Sequence, residues 1–125
     1  MKVLVCGGRY FQDVPLLWRH LDQLHAKSPI TCVIEGGSDA VAGDYYGADY
    51  WARMWAQARG VQSVTCWADW DQFGRWAGSG RNKEMLEQYG PDLVLAFKGG
   101  KGTADVVKQA QAAGVAVCSV SSNGD

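Results

Sequence analysis

Five short apolar runs, Lys2 to Cys6, Ile30 to Glu35, Val61 to Trp67, Asp92 to Phe97 and Val115 to Val120, recur along the chain with helical patterns between them. Rich in Val, Leu, Ile and Cys, they lack the polar alternation of a strand with one wet face. The intervening stripes have helical spacing: Leu17, Leu21 and Leu24; Ala48, Trp51, Ala52 and Trp55; Met85, Leu86 and Tyr89; Ala104, Val107 and Ala110. Strands buried on both faces and alternating with helices predict an α/β fold, a three-layer sandwich around a five-stranded parallel sheet. Right-handed crossovers place the first strand centrally and predict the order 3-2-1-4-5.

In such a sheet a ligand sits past the carboxyl ends of the strands, at the switch point between the first and fourth. Gly7-Gly8-Arg9 follows the first strand, Lys98-Gly99-Gly100-Lys101-Gly102-Thr103 follows the fourth, and Gly36-Gly37 after the second rims the same edge. A glycine turn between a buried strand and a helix lets the backbone approach a ligand closely, while the helix start offers free N–H groups and partial positive charge. Phosphate suits such a turn. Thr103 can cap the helix or donate to a phosphate oxygen, and Lys98 and Lys101 add charge. Neither familiar nucleotide fingerprint applies. Gly102 stands where a P-loop needs Ser or Thr after Lys101, and Asp105 stands where the dinucleotide pattern from Gly100 needs its third glycine.

A chain of 125 residues predicts a single domain over residues 1–120, followed by a flexible tail at 121–125. With 12 basic and 13 acidic residues the formal net charge is -1, so no overall field draws the chain to nucleic acid or to a lipid surface. The first residues are strand-sized rather than a signal peptide, and the expected location is cytoplasmic. Cys6, Cys32, Cys66 and Cys118 are far apart and strand-borne, which suits buried reduced thiols rather than disulfides or zinc. His20 and His25 are the only histidines, and their i, i+5 spacing puts them on different helix faces. Nothing here calls for a metal or a separate cofactor.

Two connections are long, Ser38 to Tyr46 and Ala68 to Gly80, and this topology puts both on the ligand edge. Trp51 and Trp55 read as helix core or interface, while Trp67, Trp70 and Trp76 flank the second long connection and could stack on a base.

Several motifs carry a resemblance that covers nearly the whole chain. They run in order: Val3-Leu4-Val5-Cys6-Gly7-Gly8-Arg9, Glu35-Gly36-Gly37, Gly47-Ala48-Asp49, Ala68-Asp69-Trp70, Ala77-Gly78, Arg81-Asn82-Lys83-Glu84-Met85-Leu86, and Pro91 to Phe97 running into Gly99 to Asp105. With them the chain resembles the SLOG superfamily, Rossmann-like domains shared by the LOG phosphoribohydrolases and the Smf/DprA proteins, and most closely its single-domain YspA-like branch. The resemblance implies a nucleotide or nucleotide-derived ligand held as by a sensor, carrier or sequestering domain. The expected ligand-binding residues are Gly7, Gly8, Arg9, Gly36, Gly37, Asp49, Asn82, Gly99, Gly100, Lys101, Gly102 and Thr103. It also implies an alternative, cleavage of the N-glycosidic bond of a nucleoside monophosphate, with Arg81 and Asp105 as catalytic candidates.

Three departures bear on that choice. Lys98 replaces the proline of the LOG turn, and the position of its glutamate falls on Val106, with Asp105 beside it expected in the first helical turn. A carboxylate moved one residue along a helix swings by about 100°, so binding is less affected than catalysis. After the second strand, Ser38 to Tyr46 intervene before Gly47-Ala48-Asp49, with Tyr46 where an arginine is usual; this insert is a ligand lid or a solvated loop. Nucleic-acid binding as in the Smf/DprA relatives is disfavoured by the charge, and Trp51 and Trp55 would suit the homodimers common among relatives.

Overall fold

A computed structural model describes residues 1–37, 47–67 and 77–120. The insert at 38–46, the segment 68–76 with Trp70 and Trp76, and the tail at 121–125 lie outside the described residues. The elements run β1 (Lys2–Cys6), α1 (Val14–Lys27), β2 (Cys32–Glu35), α2 (Ala48–Arg59), β3 (Gln62–Thr65), α3 (Ala77–Tyr89), β4 (Leu93–Ala96), α4 (Lys101–Ala112) and β5 (Ala116–Ser119). All five strands are parallel, in the order β3-β2-β1-β4-β5, a Rossmann-like α/β sandwich. The expected order is borne out.

The pleat explains why the apolar runs show so little alternation. Val3 and Val5 of β1 pack under α1 and α2 with Val33, Leu95, Leu17, Leu21 and Trp55, while Leu4 and Cys6 point to the opposite layer with Ile34, Val94, Met85 and Val106. Both faces are therefore covered, and the central strands are apolar throughout. Asp13 caps α1 by accepting from the Leu16 N–H at 3.2 Å. Asp22 accepts from Trp55 Nε1 and from Arg59, both at 2.9 Å, which ties α1 to α2. The Arg59 hydrogen bond is the chief reason its carboxyl is held below the ordinary range.

Trp55 is fully buried, and Trp51, half-buried, packs against the same core while its carbonyl accepts from Trp18 Nε1 at 3.1 Å. Three sequence expectations need correction. The inner stripe of α4 is Val106 and Ala110 with Val107 partly buried beside them, whereas Ala104 faces outward. The start of α4 at Lys101 puts Asp105 in the second turn. The thiols are free, yet only Cys6 and Cys66 are buried, Cys66 lies just past β3, and Cys118 is exposed because β5 is an edge strand.

Candidate functional site

The turns after β1 and β4 meet at the switch point. Gly8 N–H donates to the Lys98 carbonyl at 2.9 Å, and the Gly8 carbonyl accepts from Phe11 N–H at 3.1 Å and Ala48 N–H at 3.2 Å. One glycine thus joins the β4 turn, its own loop and the start of α2. A Cβ on Gly7 would lie 2.6 Å from the Ala48 Cβ, so Gly7 must lack a side chain, and one on Gly8 would press at 3.2 Å on the Gly99 Cα.

Above these turns opens a cavity of about 1170 Å³. Its lining includes every ligand-binding candidate read from the sequence: Gly7, Gly8, Arg9, Gly36, Gly37, Asp49, Asn82 and Gly99 to Thr103, with Arg81 among them. One wall is the amino end of α4. Its first helical bond is Ala104 N–H to the Gly100 carbonyl, so the amides of the preceding turn have no helical acceptor. Gly100 caps this helix with no side-chain cap bond, so Thr103 does not act as the cap.

The opposite wall is built on β2 and the start of α2. Fully buried Glu35 accepts from the Gly37 N–H at 2.7 Å and from the Thr65 hydroxyl. Asp49, in the first turn of α2, faces the cavity. Burial and then the nearby Glu35 push its carboxyl up to about 7, against the opposing pull of Arg81, the Gly36 N–H and Arg53. Arg81 reaches across from α3. Its Nη1 donates to the Gly36 carbonyl and its Nε to Asn82 Oδ1 at 2.8 Å, so it clamps α3 to the β2 turn while lining the cavity.

Asp105 is placed differently from the other candidates. Its Oδ2 accepts from Asn82 Nδ2 and from Gln109 Nε2, both at 2.8 Å, and its side chain is not part of the cavity lining. Val106, one residue on, does line it. Cys6 also faces the cavity, but burial pushes its thiol up to about 12, which removes a thiolate nucleophile at neutral pH. Among the described residues no group of His, Cys, Asp and Glu could hold a metal ion, and no helix is long and apolar enough to cross a membrane.

The lining extends beyond the ligand-binding candidates. Tyr10 and Trp67 line the cavity and are the large hydrophobic side chains that stand exposed among the described residues, and Val106 forms part of its wall. Trp67 had a signal, its place at the end of an apolar run beside a long connection, which suggested stacking on a base; Tyr10 had only its place behind Gly7-Gly8-Arg9.

Two comparisons with known proteins match this chain. The model of the family described as "YspA, cpYpsA-related SLOG family" matches residues 1–73. The chain is also 38% identical over 122 residues to "Gene 61 protein" of Mycobacterium phage D29, with 93% of each chain covered.

Proposed function

This chain belongs to the YspA, cpYpsA-related SLOG family, and we propose that it binds a nucleotide or nucleotide-derived ligand, with phosphate seated on the turn Gly99 to Thr103. Membership supports a nucleotide-related Rossmann-like domain. The observation that carries the finer reading is the pair Gly100 and Gly102. A Cβ on either would meet nothing within 4 Å among the described residues, and neither has a left-handed backbone. Gly100 is the N-cap of α4, where glycine is a common choice, but at Gly102, inside the first turn, neither contacts among the described residues nor a left-handed backbone calls for glycine. Close approach of a ligand to the α4 amides does.

Binding rather than hydrolysis is favoured by where the acid points. Asp105 is held by Asn82 and Gln109, and Val106 occupies the wall position beside the cradle. No carboxylate of α4 therefore faces a ribose seated in the cavity. The role is that of a sensor, carrier or sequestering domain.

Calorimetric titration of the full chain with nucleoside mono- and diphosphates and with inorganic pyrophosphate tests this. At least one should bind the native chain and none should bind Gly100→Asp, whose side chain puts bulk and negative charge against the phosphate. Equal affinity in a folded Gly100→Asp variant overturns the cradle. Free base appearing from a nucleoside monophosphate over hours overturns the binding-only reading.

A further inference from the structure

The cavity has a second recognition element far from the phosphate cradle. Trp67 follows β3 and is 55% exposed, although a large indole is ordinarily covered. It is nevertheless held in place. Its benzo edge occupies the space a Gly37 Cβ would need, with the ring atoms 2.5 to 3.0 Å from that position, and Gly37 has the left-handed φ of 78° that glycine tolerates. Arg53 Cζ stands 5.8 Å from the indole centroid and 5.6 Å from that of Tyr50, within cation–π range. Gly37 in turn is anchored by its N–H bond to buried Glu35.

A ring fixed from behind and open to a cavity is pre-organised for stacking, because binding need not order it first. The sheet order also sets a distance. Trp67 follows β3, but its ring lies over Gly37 after β2, and the cradle follows β4, two strands from β2 in the order β3-β2-β1-β4. At about 4.8 Å per strand that separation is roughly 10 Å, a span that a nucleotide bridges with its base at one end and its phosphate at the other. Between the two ends lies Asp49, an acceptor suited to sugar hydroxyls.

We propose that Trp67 is the stacking platform for the planar base of a nucleotide whose phosphate sits on the turn Gly99 to Thr103. This rests on the phosphate reading above and adds the opposite end of the ligand.

The test is titration of the full chain with ADP, GDP, CDP, UDP, AMP and inorganic pyrophosphate, by calorimetry and tryptophan emission, in the native chain and in Trp67→Ala, Trp67→Phe and Tyr10→Ala. At least one nucleotide should bind more tightly than pyrophosphate and quench emission. Trp67→Ala should weaken that ligand by about fivefold to a hundredfold while leaving pyrophosphate unchanged. Trp67→Phe keeps a π face and should retain most of the affinity while losing the indole's share of the quench. Native affinity for every nucleotide in Trp67→Ala overturns the inference, as does a loss confined to Tyr10→Ala. Pyrophosphate binding with no nucleotide preference leaves the phosphate reading standing and removes this one. If neither pyrophosphate nor any nucleotide binds, both fall.

Discussion

The turns after β2 and β4 carry the same signature, adjacent glycines at the carboxyl end of a buried strand, yet the fold uses the space they leave in opposite ways. After β2 the protein fills it. A Cβ on Gly36 would collide with the Arg81 guanidinium and one on Gly37 would lie 2.5 Å from the Trp67 ring, so Arg81 and Trp67 occupy what the glycines vacate. After β4 the division falls within the turn. A Cβ on Gly99 would collide with the Thr103 hydroxyl and lie 2.7 Å from Gly8 N, whereas Gly100 and Gly102 face open space. Glycine at one turn lets side chains of the protein come close, and at the other it leaves the amides of α4 bare. A glycine pair at a strand end therefore does not by itself identify a ligand site. What surrounds each absent Cβ does.

The largest effect that would break this contrast is on binding. Gly100→Asp fills open space, so it should weaken phosphate-ligand binding at least a hundredfold, about 2.7 kcal/mol, while the thermal midpoint moves little. A large loss of stability would show that Gly100 is a packing glycine after all. Gly99→Ala should do the reverse. Its methyl group meets the backbone of Gly8, which cannot swing aside, and chemical denaturation should report a loss of about 2 kcal/mol.

Gly36→Ala is predicted to be milder, because the atom it meets is the far end of a flexible arginine. The Arg81 bond to the Gly36 carbonyl should be lost, at about 1 kcal/mol. Stability restored in the double variant Gly36→Ala with Arg81→Lys would confirm that the clash lies with the guanidinium.

A further expected effect is a change of slope with pH. Asp49 has a carboxyl pKa of about 7 in the fold against 3.8 for the free group. Below pH 3.8 it is protonated folded or unfolded and contributes nothing. As pH rises from there to 7 the unfolded chain ionises first, so the group destabilises the fold increasingly, and the penalty is constant above 7. Asp49→Asn should therefore flatten the fall in stability between pH 4 and 7, measured by denaturant midpoints across that range. An unchanged slope would assign that pH dependence to other groups and leave the β2 wall without a titrating acid.

Much of this architecture was legible in the chain. Apolar runs without alternation require cover on both faces, and that requirement with right-handed crossovers leads to the parallel order that the structure has. The order alone brings Gly7-Gly8 beside Gly99 to Thr103, since it makes β1 and β4 neighbours. Spacing along one helix was less informative. The pattern Ala104, Val107 and Ala110 took Ala104 in place of Val106 because alanine fits either a packed or an open surface, and only contact with α3 and the sheet selects Val106. Cys118 looked like Cys6 because composition does not distinguish an edge strand from a central one.

What the sequence by itself determined is the fold and which glycine turns meet at one edge of the sheet, because both follow from periodicity and handedness, which are local properties repeated along the chain. Only the tertiary structure decided how that edge is divided. It turned Asp105 to Asn82 on a different helix, put Arg81 beneath Gly36 and laid Trp67 across Gly37. Each of those contacts joins residues from separate elements, and the direction of a side chain depends on what stands opposite it once the strands are paired.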